Sequence, residues 1–166
     1  MADNYTQCSF TLRCTAAEWA LIEEVFRASD ELVEKRSSVP PSAAFLAAFT
    51  PTGSDDIWSG FRAMFADPDF PYLGAELHRD PLFDAKTPQG IVCGMTSFQP
   101  EAVATMIQHV CRESLKAQPI GFEWSESCSR ARSGEFGGGC CAIFADHLEF
   151  ATTSAWIDEF FTEGGQ

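Results

Sequence analysis

The sequence predicts a single α+β domain spanning residues 1–166, with an antiparallel or mixed sheet of about five or six strands covered by helices. Three observations predict it. A strand pattern near the N-terminus runs directly into a helix pattern. Strands and helices then come in segregated runs, ending in three strands and a closing helix, with no repeat or linker to divide the chain. Finally, 45% hydrophobic and 13% aromatic residues over 166 positions can bury about 70% of the unfolded surface, enough for one core without staples.

The elements follow in order. "CSFTLRC" (8–14) alternates Cys8, Phe10, Leu12 and Cys14 against Ser9, Thr11 and Arg13, the period of a half-buried strand. Thr15 and Glu18 then have capping-box spacing before a helix that carries Trp19, Ile22, Val25 and Phe26 on one side. "SAAFLAAF" (42–49) suits a short buried helix. Ser54 is placed to cap another over 55–66, with Ile57, Phe61, Met64 and Phe65 at helical spacing. Four prolines make 67–90 mainly loop, with a short strand near Leu73 to Arg79. "GIVCGMTS" (90–97) reads as a strand. Pro100 opens the next helix, whose stripe is Val103, Met106, Ile107, Val110, Cys111 and Leu115. "IGFEWSES" (120–127), "GCCAIFA" and "HLEFATT" read as three strands, the last two joined at Ala145-Asp146. Thr153 or Ser154 is expected to cap a final amphipathic helix through Phe161, carrying Trp156, Ile157 and Phe160.

Charge narrows the function. Against 24 acids stand 11 Lys and Arg, a net charge of −13. Such a surface repels phosphates, so neither direct nucleic-acid binding nor attraction to anionic lipid is expected. Solubility is the plain reading of the acids; the sharper one is a decoy that occupies a basic groove built for nucleic acid. The first ten residues lack a basic, then apolar, leader pattern, and no apolar run approaches a membrane span. Seven cysteines without a CxxC pair fit a reduced, cytoplasmic protein with packed thiols.

Candidate sites are few. "SRARSGEFGGGCC" (129–141) should connect a hairpin; its structural reading is a turn, and its functional reading a ligand loop using Arg130, Arg132, Gly137, Gly138 and Gly139. Its glycines lack phosphate-loop spacing and lead into a strand. Cys140 and Cys141, adjacent on a strand, point to opposite faces and cannot easily share one ion, so no metal is expected. No cofactor motif and no catalytic motif occurs. His78, beside Glu76, Arg79 and Asp80, with Glu123, Glu126 and Cys128, marks where an active site would be sought. Phe70 and Tyr72 are candidate apolar anchors in the proline-rich loop.

The run "GFEWSESCSRARSGEFGGGCCAIF…EFATT…W", over the last third of the chain, resembles uncharacterised small acidic proteins of bacterial plasmids, integrated elements and phages. That family has no assigned activity, so the resemblance implies context only: a mobile-element factor that blunts a host defence or regulates the element. The expectation is a non-enzymatic, acidic binding protein with a protein partner of basic character. The alternative is a small enzyme or small-molecule binder using the 129–139 loop.

Overall fold

A computed structural model describes residues 2–36, 39–80 and 88–163. Strand β1 (Asn4–Arg13) buries Cys8 and Leu12 and exposes Ser9, Thr11 and Arg13, as the alternation requires. Helix α1 (Ala16–Val33) starts at the expected capping box. The Thr15 hydroxyl accepts from the Glu18 N–H at 3.3 Å, and the Glu18 carboxylate accepts from the Thr15 N–H at 2.8 Å. Trp19, Ile22 and Val25 then turn into the core.

Helix α2 (Ala43–Ala48) is capped by Ser42, and α3 (Ser59–Arg62) is a single turn. The expected helix over 55–66 is therefore corrected to four residues. The Asp56 carboxylate takes the Trp58 N–H, and the Ser59 hydroxyl bonds the Asp56 carbonyl and the Thr52 N–H. Side chains thus occupy backbone groups that a longer helix would have used. Ser54 caps nothing; its hydroxyl donates to Asp55. Phe61 and Phe65 are still buried, in an aromatic cluster with Phe45, Phe49 and Trp58.

Strands β2 (Glu76–Arg79) and β3 (Gln89–Gly94) follow. Residues 81–87 of the expected 67–90 loop lie outside the described residues. The helix expected from Pro100 is two, α4 (Pro100–Val110) and α5 (Arg112–Ala117), divided at Cys111 (φ −89°, ψ 38°). The chain closes with β4 (Ile120–Cys128), β5 (Gly137–Ile143), β6 (Leu148–Thr152) and α6 (Thr153–Glu163).

All six strands form one antiparallel sheet in the order β2-β3-β1-β4-β5-β6. The N-terminal strand is central, with Phe10 opposite Val92 and Cys8 opposite Trp124. Since β3 and β4 both run antiparallel to β1, they are parallel to each other. Helices α4 and α5 carry the chain between them, a split β-α-β unit. Leu12, Val92, Phe122, Cys141 and Ile143 line the inner face beneath Ile22, Val25, Val103, Met106 and Ile107. Each large apolar side chain buried this way contributes about 1.5–3 kcal/mol. The opposite face shows Ser9, Thr11, Glu123, Ser125 and Cys140 to solvent. No helix among the described residues is long and apolar enough to cross a membrane.

The last helix departs most from expectation. The side chain that accepts from its first turn is Thr152, whose Oγ1 takes the Ala155 N–H at 3.3 Å, rather than Thr153 or Ser154. Its apolar stripe is not buried: Trp156 is 63% exposed, Ile157 53%, Phe160 62% and Phe161 78%. Periodicity shows that one side of a helix is apolar; whether anything covers it is a tertiary matter.

Candidate functional site

The C-terminal strands and α6 enclose an open cavity of about 440 Å³. Its walls are set by cross-strand rows. Trp124, Gly139 and Thr152 lie side by side on β4, β5 and β6, as do Glu123, Cys140 and Ala151 in the next row. Thr153 and Trp156, from the first two turns of α6, complete the lining with Gly137 and Gly138.

The glycine triplet now has its physical reason. A Cβ on Gly139 would sit 2.5 Å from Cζ2 and 2.7 Å from Cη2 of Trp124, and 2.5 Å from the Ala151 carbonyl oxygen. The indole therefore lies across bare backbone. Gly138 holds φ +150°, and a Cβ there would meet the Trp124 carbonyl oxygen at 2.3 Å. Thr153 ties the helix start to the same stretch, its hydroxyl donating to the Gly138 carbonyl at 3.3 Å. The loop thus serves as the turn side of a hairpin and also as one side of a cavity.

The residues singled out from sequence divide into four groups by their place in the fold. Gly137, Gly138, Gly139 and Glu123 line the cavity. Glu126, also on β4, is not part of the lining; its carboxylate accepts from the Trp124 indole N–H at 3.3 Å. Arg130 and Arg132 are exposed on the 129–136 connection; they line no wall of this cavity and form no ion pair among the described residues. His78 is on the edge strand β2, 3.0 Å from the Glu76 carboxylate, with β3 and β1 between it and the strand of Glu123. Phe70 and Tyr72 pack on each other at 5.6 Å beside a second cavity of about 430 Å³, lined also by Met64, Phe65 and Gln99. Sequence reasoning missed Trp156, Thr152 and Thr153. Trp156 was hidden by its helical spacing, which marks it as core.

Among the described residues, no group of three or more His, Cys, Asp or Glu side chains is arranged to hold a metal ion. Each histidine is engaged elsewhere: His78 with Glu76, His109 with the Ala48 carbonyl and the Phe49 ring, and His147 with Asp146 and Glu149. Cys140 is the exposed thiol of the cavity, while Cys141 points into the core. No protein-family model, curated protein or solved structure matches the chain.

The thiols should separate by reactivity. Burial, with smaller contributions from Cys93 and Glu123, pushes the Cys8 thiol up to about 12. Burial, then Cys140 and Glu101, pushes Cys141 up to about 11. Cys111 is raised by its hydrogen bond with Cys14 and by burial. Only thiolates attack disulfide reagents at useful rates. At pH 8 the folded chain is expected to lose Cys140 first to a chromogenic disulfide, with Cys8, Cys14, Cys111 and Cys141 reacting only on unfolding. Peptide mass spectrometry after a short pulse checks this; Cys8 or Cys141 labelling as fast as Cys140 would contradict it.

Proposed function

We propose that this chain is a non-catalytic protein-binding module whose working surface is α6. The observation that carries the reading is the grouping of Trp156, Ile157, Phe160 and Phe161, all more than half exposed, on one helix. Scattered exposed apolar residues are ordinary, whereas a contiguous group of large ones usually marks an interaction surface. Phe136 and Phe150 add exposed rings on the neighbouring loop and strand.

The partner's chemistry follows from the helix borders. Asp158 and Glu159 accompany the apolar stripe, and α6 carries no Lys or Arg. An amphipathic helix of this kind fits an apolar groove with a basic rim. With 24 acids to 11 bases overall, the chain approaches such a groove by long-range attraction and is repelled from nucleic acid. A host protein that handles nucleic acid, held by a mobile-element factor acting as decoy or inhibitor, is the partner class this supports.

The test compares retention from host lysate at about 50 mM and 300 mM salt, a range that strips exposed charge contacts. The wild-type chain should retain one basic protein at the lower salt. Ile157→Asp with Phe161→Asp should weaken that complex about 30-fold, the loss of at least one anchor of about 2 kcal/mol. Phe70→Ala should leave it unchanged. Equal retention by the doubly substituted helix would overturn the assignment to α6.

A further inference from the structure

The cavity beneath Trp156 carries a second specificity. Its lining contains no Lys or Arg. Among the residues that line it are Glu123 and Cys140, which share the solvent face of the sheet, and Trp156 from α6. The Trp124 indole is turned to the other face, the one that carries Cys8 and Cys141, so Trp156 supplies the aromatic surface. Glu123 makes no side-chain hydrogen bond or ion pair among the described residues. An anion would meet that carboxylate and a net charge of −13. A neutral apolar ligand would strip water from the carboxylate and give nothing in return. A cation answers both features, because its charge pairs with Glu123 while its weakly hydrated surface rests on an indole face. The volume of about 440 Å³ falls within the range of small-molecule sites and leaves room for the group that carries the charge.

We infer that the cavity between the glycine triplet and Trp156 is a binding site for an organic cation, a guanidinium or quaternary ammonium group. Two sources share that chemistry: an arginine side chain presented by a protein, or a free small cation. The inference rests on the proposed docking of α6 only for the first source. The cavity itself is defined by residues on β4, β5, β6 and the first turns of α6.

Cys140, exposed in the cavity wall, provides a local reporter. The full chain is treated with trimethylammonioethyl or sulfonatoethyl methanethiosulfonate, and the rate at Cys140 is read by peptide mass spectrometry. In the folded chain the preference for the cationic reagent should exceed that of the urea-unfolded chain by about tenfold, equivalent to about 1.4 kcal/mol. Glu123→Gln should reduce the preference. A general negative field would do the same, so the deciding variant is Trp156→Ala, which leaves every charge in place. Trp156 is 63% exposed, so its loss should leave the fold intact, checked by thermal unfolding. A preference unchanged in Trp156→Ala overturns the inference.

Competition then separates the sources. Protection of Cys140 by acetyl-argininamide but not tetramethylammonium assigns the cation to a protein side chain, and the reverse assigns it to a free quaternary ammonium. Protection by neither at about 10 mM, beyond the range of even weak specific sites, also overturns it. The Ile157→Asp, Phe161→Asp chain should keep the cation preference. Failure of α6 docking and failure of the cavity site are thus distinguishable.

Discussion

Gly138→Ala is expected to lower stability by about 3 kcal/mol or more, the sum of a strained backbone and an overpacked contact. The added methyl would stand 2.3 Å from the Trp124 carbonyl oxygen, a backbone atom in the paired strand that cannot swing aside. The φ of +150° also disfavours any L side chain. For a domain of this size that loss corresponds to a fall of roughly 6–12 °C in Tm. Gly53→Ala is the matched control, because a Cβ there meets nothing within 4 Å. Urea unfolding of both variants decides it: a change below about 1 kcal/mol for Gly138→Ala would mean that β4 and β5 can part without cost, and the account of the glycine triplet would fail. The same variant should blunt the cation preference at Cys140, since the strand that forms the cavity wall has moved.

The second large effect belongs to Glu18, which is 6% exposed. Beyond its capping-box bond, its carboxylate accepts from the Glu113 N–H at 2.8 Å, the Ser114 N–H at 3.0 Å and the Ser114 hydroxyl. One carboxylate therefore joins the start of α1 to the start of α5. Glu18→Gln turns an amide N–H₂ toward groups that are themselves donors, and the expected loss is about 2–4 kcal/mol. The pH dependence has a definite sign. Burial alone would raise the Glu18 pKa, but the bonds from Ser114 and Thr15 together outweigh it and hold it below the usual glutamate range. A depressed folded-state pKa contributes stability that is fully present above the unfolded value, near 4.3, and is lost as pH falls through the folded one. The gap in urea midpoint between wild type and Glu18→Gln should thus be constant from pH 7 to about 5 and shrink below that. A gap that widens on acidification would refute this role for the carboxylate.

Glu18 also shows what was legible in the sequence and what was not. Its spacing from Thr15 announces the local capping box, because that motif is written within four residues. Its bonds to Glu113 and Ser114 depend on how α1 meets α5, and no local spacing encodes that. The strands were readable for the same reason as the cap: the alternation in β1, β4 and the Cys140–Cys141 pair is a short-range signal with one period. Strand order was not readable, since each strand's choice of neighbour is settled by packing across the whole chain. The 55–66 segment had the right apolar spacing, yet Asp56 and Ser59 diverted its backbone bonds. For the site, the glycine triplet and Glu123 were found from composition, whereas Trp156 carries the same helical signature whether it is covered or bare.

The position of β1 carries a consequence for how the molecule is made. As the chain emerges from the ribosome, the strand synthesised first must wait for both of its neighbours: Phe10 meets Val92 only after β3 is made, and Cys8 meets Trp124 later still. Contacts so distant along the chain slow folding. During that interval the middle of the future sheet has two unpaired edges, the state in which nascent strands are most open to mispairing. The polar alternation of Ser9, Thr11 and Arg13 keeps one side of that waiting strand hydrophilic. The piece of the sheet with the longest wait is therefore also the one that holds its two halves together.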